Sequence, residues 1–538
     1  MKRFTNLFLL LLPLLLSCCG RHGVVDIRIV ATSDVHGQVF DIDAVTGKQR
    51  EGSLAKVATF LSKERKEHRN VVYVDCGDIL QGSIEMYRDV TAEFYKPSLA
   101  ATAYNLLDCQ AYAMGNHDLF VGTNSYDRFF RSLESPVLWG NLGFAKMGDY
   151  MPPYRVVEVG GVRIAFLGLT TQSVLNTIPA DVMGELGVCS FEKASDLWIP
   201  VLRDEEKADV IVGLVHAGIK EWGNTPGLGG FDLILYGHDH ERNAARIAVG
   251  NGDSVWVANP GAFCSSVAVA DISLDFSKSD TPEPVISAGI EDIGGVEPDA
   301  KFLDRLSDRW DDVCAYADST LGILGDPLIA DGSIWAMNSS LDYIHSIQMG
   351  FQGAQVSLAS CVQTTARIDA GPFTMRDAFH LYPFDNSMVS LMLSGAEIRS
   401  ILECSTDRFL TEGPVELSNR FLSAAGIKYV IDLTEPFGQR VKVISMSDGT
   451  PFDEEQMYRT TITSFLFGGT ESILPQATGL SGADLQTRLN VSTPTDIRYY
   501  VITQFALSSE MGDTVRIKRY SDWMTAMNDM VEHESSNN

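Results

Sequence analysis

A chain of 538 residues exceeds one ordinary hydrophobic core, so at least two large domains are expected. Hydrophobic residues make up 45% and charged residues 21%, globular values that exclude wholesale disorder. A net charge of −28 excludes a broad surface for nucleic acid polymers or anionic membranes, so a small anionic ligand needs local positive charge, which bound metal ions can supply.

Taken in chain order, the first element is a targeting segment. Lys2 and Arg3 precede an apolar run from Leu7 to Leu16 that contains Pro13 and suits a secretory segment better than a membrane span. It ends in Leu15-Leu16-Ser17-Cys18-Cys19-Gly20, which resembles a bacterial lipoprotein signal. This predicts a signal peptide over residues 1–17 and an exported protein, periplasmic or at the cell surface, held to the membrane by lipidated Cys18. Cleavage by an ordinary signal peptidase is the alternative. No later segment offers the run of about 18 apolar residues that a span requires.

From residue 24 the pattern alternates β-rich runs with helical ones. Ile27–Ala31, Val71–Val74, Arg163–Leu169, Asp209–Val215 and Leu233–Tyr236 read as buried strands, followed by Val255–Ala258 and Val267–Phe276. Leu54–Glu67 and Phe191–Lys207 have apolar residues at helical spacing. The alternation predicts a layered α/β domain over 24–298, with strands feeding loops at their carboxyl ends. Residues 277–298, rich in Ser, Pro, Asp and Gly, read as a connection. Phe302, Leu306, Trp310 and Val313 then mark a linker helix within 299–319, and a C-terminal α+β domain occupies 320–525. The remaining single cysteines, with no Cys-x-x-Cys pair, read as small buried apolar residues. The polar tail from Glu532 reads as frayed.

Five short motifs follow predicted β runs. They are Asp34-Val35-His36-Gly37, the stretch Gly77-Asp78-Ile79-Leu80-Gln81-Gly82, Gly115-Asn116-His117-Asp118, His216-Ala217-Gly218 and Gly237-His238-Asp239-His240. Five of the ten histidines fall in them. Each motif alone arises by chance. Together, in one order and flanked by glycines that permit close approach, they predict a metal site at one edge of the sheet. Imidazole with carboxylate suits divalent Zn, Mn, Fe or Co. A pair of ions sharing a carboxylate can polarise a phosphoryl group, and Asp78 is the natural shared ligand. Asn116 is a plausible neutral ligand. That leaves His117 free to protonate a leaving group or stabilise charge.

These residues resemble the calcineurin-like metallophosphoesterases, in particular the 5′-nucleotidase family. The resemblance implies a first-domain β-sandwich flanked by helices and a two-ion centre. One ion would take Asp34, His36, Asp78 and His240; the other would take Asp78, Asn116, His216 and His238. In the second half, Arg376–Glu403, the segment from Phe421 through Gly426 and Thr463-Ser464-Phe465-Leu466-Phe467-Gly468-Gly469 are similar to the family's C-terminal domain. By position Phe421 and Phe465 correspond to its base-stacking aromatics, with Phe467 or a core role as the alternative. Movement between the two domains is a further implication.

Two departures bear on substrate. Many 5′-nucleotidases carry an Asp three residues after the catalytic His, where this chain has Phe120. The family's Asn-x-Gly-Gly-x-Arg segment is replaced by Ser360–Arg367, in which Gln363 or Arg367 are the available polar groups. Both departures, and His380-Leu381-Tyr382-Pro383, resemble the 2′,3′-cyclic-nucleotide phosphodiesterase branch. The implied activity is metal-dependent hydrolysis of nucleotide phosphate monoesters for extracytoplasmic salvage. Cyclic-nucleotide 2′-phosphodiesterase with 3′-nucleotidase activity is the alternative, and a binding lipoprotein on a degenerate scaffold is the non-enzymatic one.

Overall fold

The computed structural model describes residues 23–92, 96–142, 151–174, 187–223, 228–250, 253–330, 337–362, 367–412, 421–468 and 472–526. The predicted signal peptide, Cys18, Gln363, Gly469 and the polar tail lie outside the described residues.

The N-terminal half is built on twelve strands: β1 (Val24–Thr32), β2 (Val71–Asp75), β3 (Cys109–Ala113), β4 (Val137–Leu138), β5 (Tyr154–Val159), β6 (Val162–Thr170), β7 (Val210–His216), β8 (Leu233–Tyr236), β9 (Arg242–Gly250), β10 (Asp253–Pro260), β11 (Ser266–Asp275) and β12 (Val285–Asp292). They form two six-stranded sheets, ordered β12-β11-β1-β2-β3-β4 and β5-β6-β7-β8-β10-β9. Alternation along each strand divides its residues between two cores. Ile27, Ile29 and Ala31 of β1 meet Ile164 and Phe166 of β6 and Val212 of β7 between the sheets. Val30 and Tyr73 face outward against the helix Leu54–Glu67. That helix starts at Ser53, whose Oγ accepts from Lys56 N at 3.3 Å. On the other outer face, Ala165, Leu167 and Ile211 pack with Phe191 and Ala194 of the helix Phe191–Pro200. The result is a β-sandwich flanked by helices.

Three local differences from the sequence reading have physical reasons. The helix predicted to run to Lys207 ends at Pro200, and the chain continues as a wide π turn over Val201–Glu205. The connection predicted over 277–298 contains β12, which pairs antiparallel with β11 at the sheet edge. Every residue of β12 is exposed or half-buried, so its composition is that of a surface segment. The single linker helix is two, Ala300–Arg305 and Ser307–Ala317, joined at Leu306. The Asp299 carboxylate caps the first, accepting from Lys301 N at 2.9 Å and Phe302 N at 2.8 Å.

The C-terminal half is α+β. A five-stranded sheet runs in the order Leu422–Ala425, Val356–Ser360, Met457–Thr463, Ser387–Ser394, Leu489–Asp496, beside a three-stranded sheet of Val441–Met446, Ile427–Asp432 and Asp522–Ala526. The two halves meet in an apolar cluster that includes Ala44 and Ile84 from one and Met375 and Phe379 from the other. Arg376 donates to the carbonyls of Ala44 and Val45 across this seam. The buried Arg498 guanidinium lies 3.8 Å from the Phe379 ring centre and 5.4 Å from that of Tyr87.

Candidate metal centre

The pairs β1–β2, β2–β3 and β7–β8 are parallel, so their carboxyl ends open onto shared sheet edges. All the histidine and aspartate motifs sit there. Asp34 and His36 follow β1, Asp78 follows β2, and Asn116 and His117 follow β3. His216 closes β7, while His238 and His240 follow β8.

The structure brings these residues into two abutting groups. Ligand atoms of Asp34, His36 and His240 lie within 4.8 Å of one another, and so do those of Asp78, His216 and His238. His36 Nε2 is 3.1 Å from His240 Nε2, and His240 Nε2 is 3.4 Å from Asp34 Oδ1. In the second group His216 Nε2 is 3.0 Å from Asp78 Oδ2 and 3.1 Å from Asn116 Oδ1. Asp34 Oδ1 stands 4.0 Å from both His36 Nε2 and His216 Nε2, so it touches both groups.

The orientation of the rings makes the fit to cations specific. His216 Nδ1 donates to the Cys76 carbonyl at 2.8 Å and His36 Nδ1 to the Gln81 carbonyl at 3.0 Å. Those bonds occupy the outer nitrogens and turn both Nε2 atoms inward, toward carboxylate and amide oxygens. Acceptors facing acceptors in a buried pocket need a cation between them, and backbone carbonyls holding the far nitrogen are the usual support of a ligating histidine. The residues present therefore fit divalent ions.

Electrostatics agrees with this arrangement. Burial opposes the charge on Asp78, yet the imidazoles of His216, His117 and His36 hold its carboxyl well below the usual range. Of these, His216 belongs to the second group and His36 to the first. Asp34 behaves the same way: burial opposes its charge, and His240 and His216 outweigh it. Burial also opposes a charge on His216, but Asp78 and Asp34 prevail and raise it to about 10. A bound metal ion would take the place of the proton so held. Burial pushes His117 down to about 4, despite the pull of Asp78.

The loops are tightly wound. Asp34, His36, Asp78, His238 and His240 have φ of 49°, 47°, 67°, 81° and 59°, in the left-handed region that most side chains avoid. Space is equally limited at Gly115 and Gly237, where a Cβ would overlap the Asp78 and Asp34 carboxylates respectively.

Sequence reasoning missed three residues around this cluster. Asp118 reads in sequence as a neighbour of His117, but its carboxylate turns away and accepts from the amides of Asp78, Ile79, Leu80 and Gly115 and from the Tyr112 hydroxyl. Gln81 Oε1 lies 2.6 Å from His117 Nδ1, with the Phe120 ring centre 5.5 Å from that of His117. Phe263, left-handed at φ 62°, lies with its ring centre 5.5 Å from that of His36 and 5.6 Å from that of His240. The Gln81-Gly82 pair in the second motif was the available signal for Gln81. Nothing in the sequence marked Phe263.

In the C-terminal half the two phenylalanines differ in setting. Phe465 is 42% exposed at the start of the short helix Ser464–Gly468. Phe421 is 3% exposed and packs against Phe409 and Trp523, so it has the surroundings of a core residue rather than of an open stacking face. Phe467 is partly buried against the same core. Arg367 is exposed and pairs with Asp369 at 3.0 Å.

A helix-flanked β-sandwich with paired His/Asp groups at its strand ends defines a metallophosphoesterase fold. Two family models match: "Calcineurin-like phosphoesterase" over residues 27–242 and "5'-nucleotidase, C-terminal domain" over 330–478. The chain belongs to the 5′-nucleotidase family, calcineurin-like phosphoesterases that carry this C-terminal domain and are hydrolases of phosphoric esters. It is 21% identical over 524 residues to the trifunctional nucleotide phosphoesterase protein YfkN of Bacillus subtilis (strain 168). That match covers 83% of this chain and only 36% of the larger protein. Similarity to the 2′,3′-cyclic-nucleotide 2′-phosphodiesterase/3′-nucleotidase of Salmonella typhimurium is 23% over 504 residues, covering 79% of this chain and 77% of that one. The 5′-nucleotidase precursor from Thermus thermophilus has a similar fold, with a TM-score of 0.60 and 19% identity over 94% of this chain and all of that one. Among the described residues no helix is long and apolar enough to cross a membrane.

Proposed function

We propose that this chain is a metal-dependent nucleotide phosphohydrolase, exported and held to the membrane through Cys18. The observation that carries the reading is the pair of abutting groups, Asp34/His36/His240 and Asp78/His216/His238, with Asn116 completing the second. Divalent ions bound there would supply Lewis acidity for the phosphoryl oxygens and lower the pKa of bound water. Asp78, shared electrostatically by histidines of both groups, is the assigned common ligand, and two ions is the assigned number. His117, held at Nδ1 by the Gln81 side-chain oxygen, faces the reacting ester, where a proton taken up at Nε2 can be passed to the leaving-group oxygen. Phe465, exposed, offers a π-face to a nucleobase; Phe421 is left to the core.

The phosphate position cleaved has two candidates. Monoester hydrolysis follows from the family as a whole. The cyclic-phosphodiesterase reading is favoured by one specific feature: Phe120 stands where many 5′-nucleotidases place an Asp, and an amide, not a carboxylate, holds His117. Phosphate release by metal-reconstituted protein from AMP, 3′-AMP, 2′,3′-cyclic AMP (with added phosphatase) and bis-p-nitrophenyl phosphate separates them. Chelator-treated protein should be inactive on all four and recover with Mn or Zn. Full activity after exhaustive chelation would sink the metal assignment.

Phe465→Ala tests the base-binding role. Its KM for a nucleotide should rise roughly tenfold, the ~1–3 kcal/mol of one stacked base, while KM for p-nitrophenyl phosphate stays unchanged. Equal changes on both substrates would make Phe465 a structural residue.

A further inference from the structure

Gln81 touches two histidines of the centre in two different ways. Its main-chain carbonyl accepts from His36 Nδ1 at 3.0 Å, and its side-chain Oε1 lies 2.6 Å from His117 Nδ1. The first contact fixes the backbone at residue 81, and Gly82 behind it lies so close that a Cβ there would press into the His36 side chain. The amide is thereby aimed at His117 by the loop that carries Asp78. Two rings flank His117, Phe120 at 5.5 Å and His36 at 5.2 Å between ring centres, and the Asp78 carboxylate that accepts from the His117 amide also acts on its charge. Asp118, the adjacent carboxylate, is committed to four amides and a phenol.

We infer that Gln81 is the positioning residue of His117, holding its ring with the proton on Nδ1 and Nε2 turned toward the substrate. The inference rests on the proposed role of His117 at the reacting ester. An amide differs from a carboxylate partner in one chemical respect. A carboxylate stabilises the imidazolium, whereas the amide fixes orientation and tautomer and leaves the ring's charge to its surroundings. Gln81 therefore takes over the orienting part of an Asp–His pair without its electrostatic part, and Phe120 fills the space such an Asp would occupy.

The experiment uses full-length, Zn-loaded protein with isotope-labelled histidine. Long-range nitrogen–proton NMR correlations should show Nδ1 protonated on the ring whose signals vanish in His117→Ala. Gln81→Leu should convert that ring to a mixture of tautomers, and Gln81→Glu should keep it protonated on Nδ1. On the panel substrate turned over fastest, Gln81→Leu should lower kcat roughly 10–100-fold, with KM and bound metal changed less than about twofold. In a His117→Ala background the same substitution should change kcat by less than about twofold, because the partner it positions is gone. An undiminished loss in that background, loss of metal, or an unaltered His117 tautomer would overturn the assignment. If wild-type protein hydrolyses none of the substrates, the phosphohydrolase reading fails, and the NMR comparison still decides whether Gln81 positions His117.

Discussion

Asp78→Asn is expected to abolish hydrolysis, lowering kcat by at least about a thousandfold, the scale of removing a group that acts only as part of a unit. The reason lies in the two faces of that carboxylate. Oδ2 stands 3.0 Å from His216 Nε2, and Oδ1 accepts from His117 N at 2.8 Å. One side chain thus serves a ligand group and, through the backbone, the start of the loop that presents Asn116 and His117. Asparagine keeps the shape but has one oxygen and no charge. It must place its NH2 either against the His117 amide, donor to donor, or against the inward-facing nitrogen of His216. Metal content measured on the purified variant should fall alongside activity, while circular dichroism stays that of the wild type. Near-normal turnover with full metal occupancy would remove Asp78 from the centre. Asp34→Asn is the instructive comparison, because Asp34 Oδ1 also reaches histidines of both groups. If it alone abolished metal binding, the shared ligand would be Asp34.

Asp118→Ala should be the most destabilising single change near the site. Its buried carboxylate accepts from four backbone amides and one phenol, and truncation leaves all five donors without that partner in a space closed to water. Each orphaned buried donor costs about 1–3 kcal/mol, and relaxation recovers part, so a loss of about 4–5 kcal/mol is expected. In a domain of this size that corresponds to a Tm lower by roughly 10–15 °C, measured by thermal unfolding of the full chain. Asp118→Asn keeps one acceptor oxygen and should lose about half as much. A Tm within about 3 °C of wild type for the alanine variant would mean that the loops after β2 and β3 do not depend on this carboxylate.

The chemistry of the site was far more legible than its support. Histidine and aspartate in five glycine-flanked motifs, four of them behind a strand named from sequence, are visible in one dimension because parallel strands deliver their carboxyl ends to the same edge. The strands named from sequence carry the longest apolar runs, and one of them, Val210–His216, is buried on both faces. Those that escaped have weaker patterns. Cys109–Ala113 is short and alanine-rich, and residues 242–249 alternate exposed and half-buried positions at a sheet edge. The orienting contact of Gln81 could not be read, since 36 residues separate it from His117 and only the folded loops bring them together. Burial of Phe421 depends on Phe409 and Trp523, the latter 102 positions further along the chain. A motif match carries no such information.

The left-handed backbone at Asp34, His36, Asp78, His238 and His240 has a consequence for how this scaffold ages. Holding a side-chain-bearing residue in that conformation costs about 1–2 kcal/mol, whereas glycine adopts it freely and forfeits only about 0.5–1 kcal/mol in chain entropy. Loss of His238 or His240 to glycine is then offset in part by relief of that strain. Asp34 and Asp78 differ, because their buried carboxylates accept from the His238 and His117 amides, which glycine would leave without that partner. The stability of the chain thus guards its aspartates more closely than these histidines, and selection on turnover has the most to do where the ligand is an imidazole.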